Sequence, residues 1–244
     1  MGKASVPVIA VDGPGGSGKG TVSQLVAHTL GWHFLDSGAL YRLVALAAAQ
    51  QAVSLEDEAA LAELAGQLDI QFLFPVVKGL PLAGMNGHAP PELETKIMLD
   101  GQEVTKLLRG EDCASAASRV AVLPGLRAAL LERQKAFRRP PGLVADGRDM
   151  GSVVFPDAEL KIFLTASVQE RALRRHKQLK AKGMHANLTS LIDEIAERDA
   201  RDSARSVAPM KPAPGAIVID TSSLSIGEVV QQVLMLWHEV AAAG

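Results

Sequence analysis

The junction between Val6-Pro7-Val8-Ile9-Ala10-Val11 and the stretch VDGPGGSGKGT, Val11 to Thr21, constrains this chain more than any other feature. A continuous Val/Ile-rich run suits a strand buried on both faces of a parallel sheet. Gly13 and the pair Gly18-Lys19 keep the G-x-x-x-x-G-K spacing of a phosphate-binding loop. Val22, Leu25, Val26 and Leu30 then recur at helical spacing from Lys19, and Gly31 ends the helix. Strand, glycine loop and helix in that order form an anion cradle. Glycines permit the turns and the close approach, and the helix N-terminus adds its positive end. Lys19 supplies a point charge for the β- and γ-phosphates of a nucleotide. Gly13, Pro14, Gly15, Gly16, Ser17, Gly18, Lys19, Gly20 and Thr21 are therefore the candidate nucleotide-phosphate site.

One residue departs from the usual loop. Ser or Thr normally follows the lysine and holds Mg²⁺. Here Gly20 stands in that place and Thr21 comes one position late, within reach of an α-phosphate. Mg²⁺ is then left to phosphates, water and carboxylates from elsewhere. That suits an enzyme whose metal rides between two nucleotides. It suits a GTPase switch badly, and no guanine-reading N-K-x-D motif is present.

Apolar strands alternate with helices along the chain. WHFLDSG reads as a short strand emptying into Asp36-Ser37-Gly38, followed by a helix over ALYRLVALAAAQQ. Ser54 and Asp57 suggest a capping box for a helix over Leu55–Leu68. DIQFLF and TKIMLDGQEVT read as strands, and Asp100-Gly101 is a strong hairpin signal. Proline and glycine between them mark a long loop over 74–94. A small antiparallel sheet is expected over about 70–106, within an insert spanning 66–112. Helices follow at DCASAASRVAVL and PGLRAALLERQKAF, the second opened by Pro124. GLVADGRDMG is a strand ending at Asp146. LKIFLTAS enters the basic helix SVQERALRRHKQLKAKG, and TSLIDEIAERDARDSAR forms the next helix. AIVIDTS is the last strand, and Ser225 with Glu228 caps the final helix. The pattern predicts a doubly wound α/β domain over 1–244, with a five-stranded parallel sheet flanked by helices.

Composition narrows the function classes. The 244 residues are 48% hydrophobic and 21% charged, enough apolar side chain for a real core. A net charge of -2 gives no basic field for nucleic acid. Cys113 is the single cysteine, so no internal disulfide forms. With no export signal read in the sequence, that fits a reducing cytoplasm. No apolar stretch reaches membrane-span length, and Gly2 lacks a myristoylation motif because Val6 stands where Ser or Thr is needed. His28, His88, His176, His185 and His238 show no metal spacing, and Trp32, His33 and Tyr41 read as core or site wall. No protein metal site is expected.

DGPGGSGKGT, WHFLDSGALYR, ADGRDMGSVVFPDA, KIFLTAS and ERDARDSAR-VAP, in that order, resemble the cytidylate kinases of bacteria, a family of nucleoside monophosphate kinases with the P-loop fold. The resemblance runs from about Val6 to the last helix; the stretch Phe74–Glu94 is longer than is usual there. It implies ATP with Mg²⁺, CMP and dCMP as acceptors, a monomer, a monophosphate-binding insert and a short lid over 168–188.

Two nucleotides bring about six negative charges together, which only cations can offset. Arginine does so with two parallel hydrogen bonds. Arg42 and Arg148 lie near the carboxyl ends of strands, where doubly wound folds bind ligands. Arg198, Asp202 and Arg205 share a helix face by their spacing. On spacing alone that face reads as a solvated ladder of ion pairs; the resemblance assigns it to sugar hydroxyls and substrate. The resemblance also places Ser37 and Tyr41 at the substrate. It gives Asp149 the cytosine N4 amine and Arg127 the N3 or O2 acceptors, with Ser118 assisting. On spacing alone Arg127 reads as an exposed helix residue and Ser118 as a small packing residue. Arg171, Arg174 and Arg175 lie on the basic helix, which on spacing alone is a solvated face. The resemblance makes Arg174 an ATP contact and Arg175, with Lys19 and Arg148, a catalytic cation. Lys177, Lys180 and Lys182 read as surface. Asp36 and Asp146 are candidates for holding metal-bound water. The rival readings are a kinase for another small acceptor, UMP or shikimate, and an ATP-binding module without turnover.

Overall fold

The computed structural model describes residues 6–73, 95–181, 183–204 and 209–243. The expected loop over 74–94, Arg205, Lys182 and the reading of Gly2 lie outside the described residues. The chain divides into two compact units, Met1–Phe34 with Arg139–Gly244, and Leu35–Arg138.

The first unit is built on a five-stranded sheet. Its strands are β1 (Val8–Asp12), β2 (His33–Asp36), and three that the described chain reaches later, at Leu143–Gly147, Leu160–Thr165 and Ile217–Asp220. Numbered β6, β7 and β8 in chain order, they give the sheet order β2-β6-β1-β7-β8. β1 pairs in parallel with β6 and with β7, and β7 with β8. Val8, Ile9, Ala10 and Val11 are fully buried, as are Leu143, Val144 and Ala145 beside them. Burial on both faces explains why these strands read as unbroken apolar runs. Helix α1 (Lys19–Leu30) follows the phosphate loop and ends at Gly31 in the left-handed conformation.

The second unit is helical with a small sheet. Its helices are α2 (Ser37–Gln50), α3 (Glu58–Gln67), α4 (Thr105–Leu108), α5 (Glu111–Val120) and α6 (Pro124–Lys135). α3 packs on α6 and α2 on α5, burying Leu43, Leu61, Leu126 and Leu130. Strands β3 (Ile70–Leu73), β4 (Lys96–Leu99) and β5 (Gln102–Glu103) pair antiparallel. Asp100 and Gly101 turn β4 into β5 with φ of 48° and 78°, the two positive values that a two-residue hairpin needs.

The local readings need four corrections. Asp57, not Ser54, caps α3, accepting from Ala60 N–H at 3.0 Å, so the helix starts at Glu58 rather than Leu55. The helix over 112–123 stops at Val120. α4 is an extra turn that the sequence pattern did not mark. Met150–Val154 leaves β6 as a π-helical turn that the sequence pattern did not mark.

The first unit closes with α7 (Val168–Ala181), α8 (Leu188–Ser203) and α9 (Ile226–Ala243). Ala172, Leu179 and Leu191 make a small core between α7 and α8. Ser225 and Glu228 form the expected capping box: Glu228 N–H donates to Ser225 Oγ at 3.3 Å, and Ser225 N–H to Glu228 Oε2 at 2.8 Å. Among the described residues no single helix is long and apolar enough to cross a membrane.

Candidate active site

The loop between β1 and α1 requires glycine where the backbone is crowded. A Cβ at Gly13 would overlap the Leu164 carbonyl of β7. Gly18 stands at the helix N-cap with φ 86°, which an L side chain adopts only with strain. Three of the loop's carbonyls, those of Pro14, Gly15 and Ser17, are taken up by side-chain donors. Ser17 Oγ donates to Pro14 O at 3.0 Å, and Lys19 Nζ reaches the same carbonyl at 3.4 Å. Arg171 Nη1 donates to Gly15 O at 3.1 Å, and Thr221 Oγ1 donates to Ser17 O at 3.0 Å.

Cations converge on this loop. A Cβ at Gly15 would sit 3.5 Å from Arg148 Nη2 and 3.8 Å from Arg198 Cζ, so two guanidinium groups flank the glycine. Arg148 is oriented by Asp202, whose Oδ2 accepts from Nε at 2.9 Å. Asp202 is 2% exposed and the Arg148 side chain 15%. Asp202 is thus buried in its pair with Arg148 rather than part of the solvated ladder its spacing suggests, and Arg198 is half-buried. Arg171 corrects a similar reading. It is 3% exposed, donates to both carboxylate oxygens of Asp199 at 3.1 and 2.5 Å, and ties α7 to α8. Arg174 bonds Glu170 and the Thr221 carbonyl, and Arg175 donates to Gln178 on its own helix at 3.4 Å.

Gly20 has a steric reason. A Cβ there would meet Asp146 Oδ2 at 3.3 Å, closer than ordinary packing. Asp146 in turn lies 3.8 Å from Lys19 Nζ. The place of the usual hydroxyl-bearing side chain is given to a carboxylate from β6. Among the described residues no group of three or more His, Cys, Asp or Glu could cage a metal. These residues fit a metal that would be held mainly by nucleotide phosphates and water, with the Asp146 carboxylate beside the lysine. Asp36 is otherwise engaged: it caps α2, accepting from Ala39 N–H at 3.0 Å.

Asp12, at the end of β1, was missed by sequence reasoning. It is 2% exposed, and its two oxygens accept the N–H groups of Met150 and Gly151 at 2.8 and 2.9 Å. Burial pushes its carboxyl up to about 7. The two backbone hydrogen bonds oppose that shift, while Asp149 and Asp146 add to it; desolvation wins. The one signal in the sequence was an acid ending a wholly apolar strand. Arg171 and Thr221 were also missed as loop supports. Arg171 carried no mark beyond its place in a basic helix, and Thr221 only its place directly after the last apolar strand.

The second unit holds the other candidates. Ser37 opens α2, buried, and Tyr41 lies one turn on. Arg42 accepts the Cys113 S–H at its carbonyl at 3.5 Å. Arg127 corrects the exposed reading of its spacing: it is 8% exposed, donates to Ala121 O at 3.1 Å, and stacks its Cζ 5.9 Å from the Tyr41 ring centroid. Glu58 accepts the Gly125 N–H at the head of α6 and fixes the helix that bears Arg127. Ser118 is buried, and its hydroxyl has no hydrogen-bond partner among the described residues.

A cytidylate kinase family model matches residues 9–239. The chain is similar to the cytidylate kinase of Stutzerimonas stutzeri, 58% identical over 229 residues covering 94% of each chain. It is also similar to the cytidylate kinase of Pseudomonas savastanoi pv. phaseolicola, 54% identical over 99% of this chain and 98% of the relative. The cytidylate kinase of Shewanella denitrificans is 52% identical over 93% and 94%.

Proposed function

This chain belongs to the cytidylate kinase family, and from that premise we propose that it transfers the γ-phosphoryl group of ATP to CMP or dCMP, giving ADP with CDP or dCDP. The observation that carries the reading is the pair of guanidinium groups, Arg148 and Arg198, against Gly15 of the phosphate loop. A binding module for one nucleotide has no need of cations on the far side of its phosphates, whereas transfer between two anions does.

In this reading Lys19 and the loop N–H groups hold the ATP phosphates. Arg148 and Arg198 neutralise the acceptor side, with Arg175 as a third cation and Arg174 toward ATP. Phosphoryl transfer needs no covalent intermediate on the protein; positioning and charge neutralisation lower the barrier. Mg²⁺ would supply further positive charge to the transferred phosphoryl group, and Asp146, with Asp36 as the other candidate, would hold its water. Asp202 takes the sugar hydroxyls and orients Arg148, and Arg205 takes the same face of the substrate. Asp149 accepts from the cytosine N4 amine. Arg127 and the Ser118 hydroxyl meet the other cytosine edge atoms, and Ser37, Tyr41 and Arg42 complete the acceptor site. Residues 66–112 serve as the monophosphate-binding insert and 168–188 as the lid. The chain acts as a monomer in the cytoplasm.

The test is ADP release measured in a coupled assay with CMP, dCMP, UMP, shikimate or no acceptor. Release should require CMP or dCMP. Lys19→Ala should abolish it in a folded protein, at a cost of about 3–5 kcal/mol in the barrier. ADP release independent of acceptor, or near-normal kcat in Lys19→Ala, would overturn the assignment. Faster release with UMP or shikimate would move the function to a different acceptor.

A further inference from the structure

Asp12 makes a connection that the phosphate loop does not require. From the end of β1 it reaches a turn 138 residues further on, where Oδ1 accepts Met150 N–H and Oδ2 accepts Gly151 N–H. These are the first two N–H groups of the Met150–Val154 turn. Donors at the start of a helical turn have no partner within it, and the side chain at the N-cap normally takes them. Asp149 occupies that N-cap and is among the best capping residue types, yet it makes no capping bond. Its carbonyl instead accepts Val153 N–H at 2.9 Å, which fixes its main chain. With both leading donors already satisfied by Asp12, the Asp149 carboxylate is relieved of local capping.

We infer that Asp12 is a positioning residue for acceptor selectivity: it caps the Met150–Val154 turn from the adjoining strand and so keeps the Asp149 carboxylate directed to the cytosine amine. This rests on the reading of Asp149 given above. The sheet makes the device rigid, because Asp12 and Gly147 are register partners of β1 and β6. Three residues beyond Gly147, the turn begins at Met150, and the intervening pair is Arg148-Asp149. Without the Asp12 carboxylate, Asp149 is the nearest acceptor in sequence to the two vacated N–H groups. It then turns inward to cap its own turn and is lost to the base.

The experiment is a double-mutant comparison of kcat/KM for CMP over UMP, using Asp12→Ala, Asp12→Asn, Asp149→Asn and the Asp12→Ala/Asp149→Asn pair. Asp149→Asn should lower the ratio about tenfold. Asp12→Ala and Asp12→Asn should each lower it at least about threefold, and the pair should fall no further than Asp149→Asn alone. A packing role for Asp12 lowers both rates and leaves the ratio unmoved. An unchanged ratio in the Asp12 variants, with Asp149→Asn effective, overturns the inference and leaves the base-reading role of Asp149 standing. So does strict additivity in the pair. An unchanged ratio in Asp149→Asn overturns the premise and the inference together. If neither Asp12 variant folds, amide hydrogen exchange in the wild type decides. Met150 and Gly151 amides protected like those of β1 support the cap, and amides exchanging like an open turn overturn it.

Discussion

Gly20 offers the sharpest trial of how this loop is built. Restoring a side chain, Gly20→Ala or Gly20→Ser, brings a Cβ to within 3.3 Å of Asp146 Oδ2. Asp146 has little room to withdraw. It is 6% exposed, and its backbone is fixed in register opposite Val11 near the middle of the sheet. Relief requires the carboxylate to move by a few tenths of an ångström. Two terms then act on stability. Crowding a packed site costs about 1 kcal/mol at the mild end of overpacking. Replacing glycine in the first turn of α1 returns up to about 1 kcal/mol of helix propensity. These nearly cancel, so the unfolding free energy should stay within about 1 kcal/mol of wild type.

Catalysis has no such compensation. The Lys19–Asp146 pair is already long at 3.8 Å, and a shift in the carboxylate disturbs the position of the lysine charge. A misplacement of 1 Å costs on the order of a hundredfold, so a few tenths should cost about three- to tenfold in kcat. Steady-state kinetics with urea denaturation on the same preparations separate the two effects. Gly20→Ser is the more telling variant, because it supplies the hydroxyl of the usual loop. If it keeps or raises kcat, the claim that glycine is there to admit Asp146 is wrong.

Asp202→Ala removes the buried partner of Arg148 and should destabilise the fold by about 3 kcal/mol, with the KM for CMP rising more than kcat falls. If only stability moves, the pair is structural and the sugar contact does not exist. Asp12 makes a pH prediction. Its carboxyl releases its proton near 3.8 when unfolded and near about 7 when folded, so between those values the native state binds more protons. Its contribution to stability is therefore full below about pH 4 and is lost as pH rises toward and past 7, by about 4 kcal/mol for about three pKa units. Asp149 and Asp146 are the acids that face it. Denaturation at several pH values should show wild type losing stability relative to Asp12→Asn between about pH 4 and 7; parallel curves would refute the shift.

Much of this was legible from sequence because the decisive signals are local. Doubly buried strands read as apolar runs, Asp100-Gly101 sets its own hairpin, and Ser225 with Glu228 closes its own capping box. The errors are also physical. Four residues, Thr105–Leu108, are too short to establish a helical period. Ser54 and Asp57 are both competent caps, and the choice between them depends on where α3 packs. Arg127 and Arg171 have the spacing of solvated residues, but their burial is decided by groups remote in sequence: Tyr41 beneath one, Asp199 and Gly15 around the other. The Met150–Val154 turn is capped by a residue 138 positions away, which no window along the chain contains.

The same remoteness explains why the loop alone did not reveal its supports. A loop that offers N–H groups to an anion must have its carbonyls satisfied by other donors, since an unpaired buried carbonyl costs about as much as a lost hydrogen bond. Here Pro14 is served from within the loop, Gly15 by Arg171 of α7, and Ser17 by Thr221 at the end of β8. Thr221 Oγ1 also accepts from Arg174 at 3.1 Å, and Arg171 is itself held by Asp199 of α8. Two arginines of the basic helix are thus spent, wholly or in part, on the scaffold that shapes the loop. A charge count along α7 therefore overstates what is available to a nucleotide, and Arg171 is the arginine whose loss should deform the loop itself.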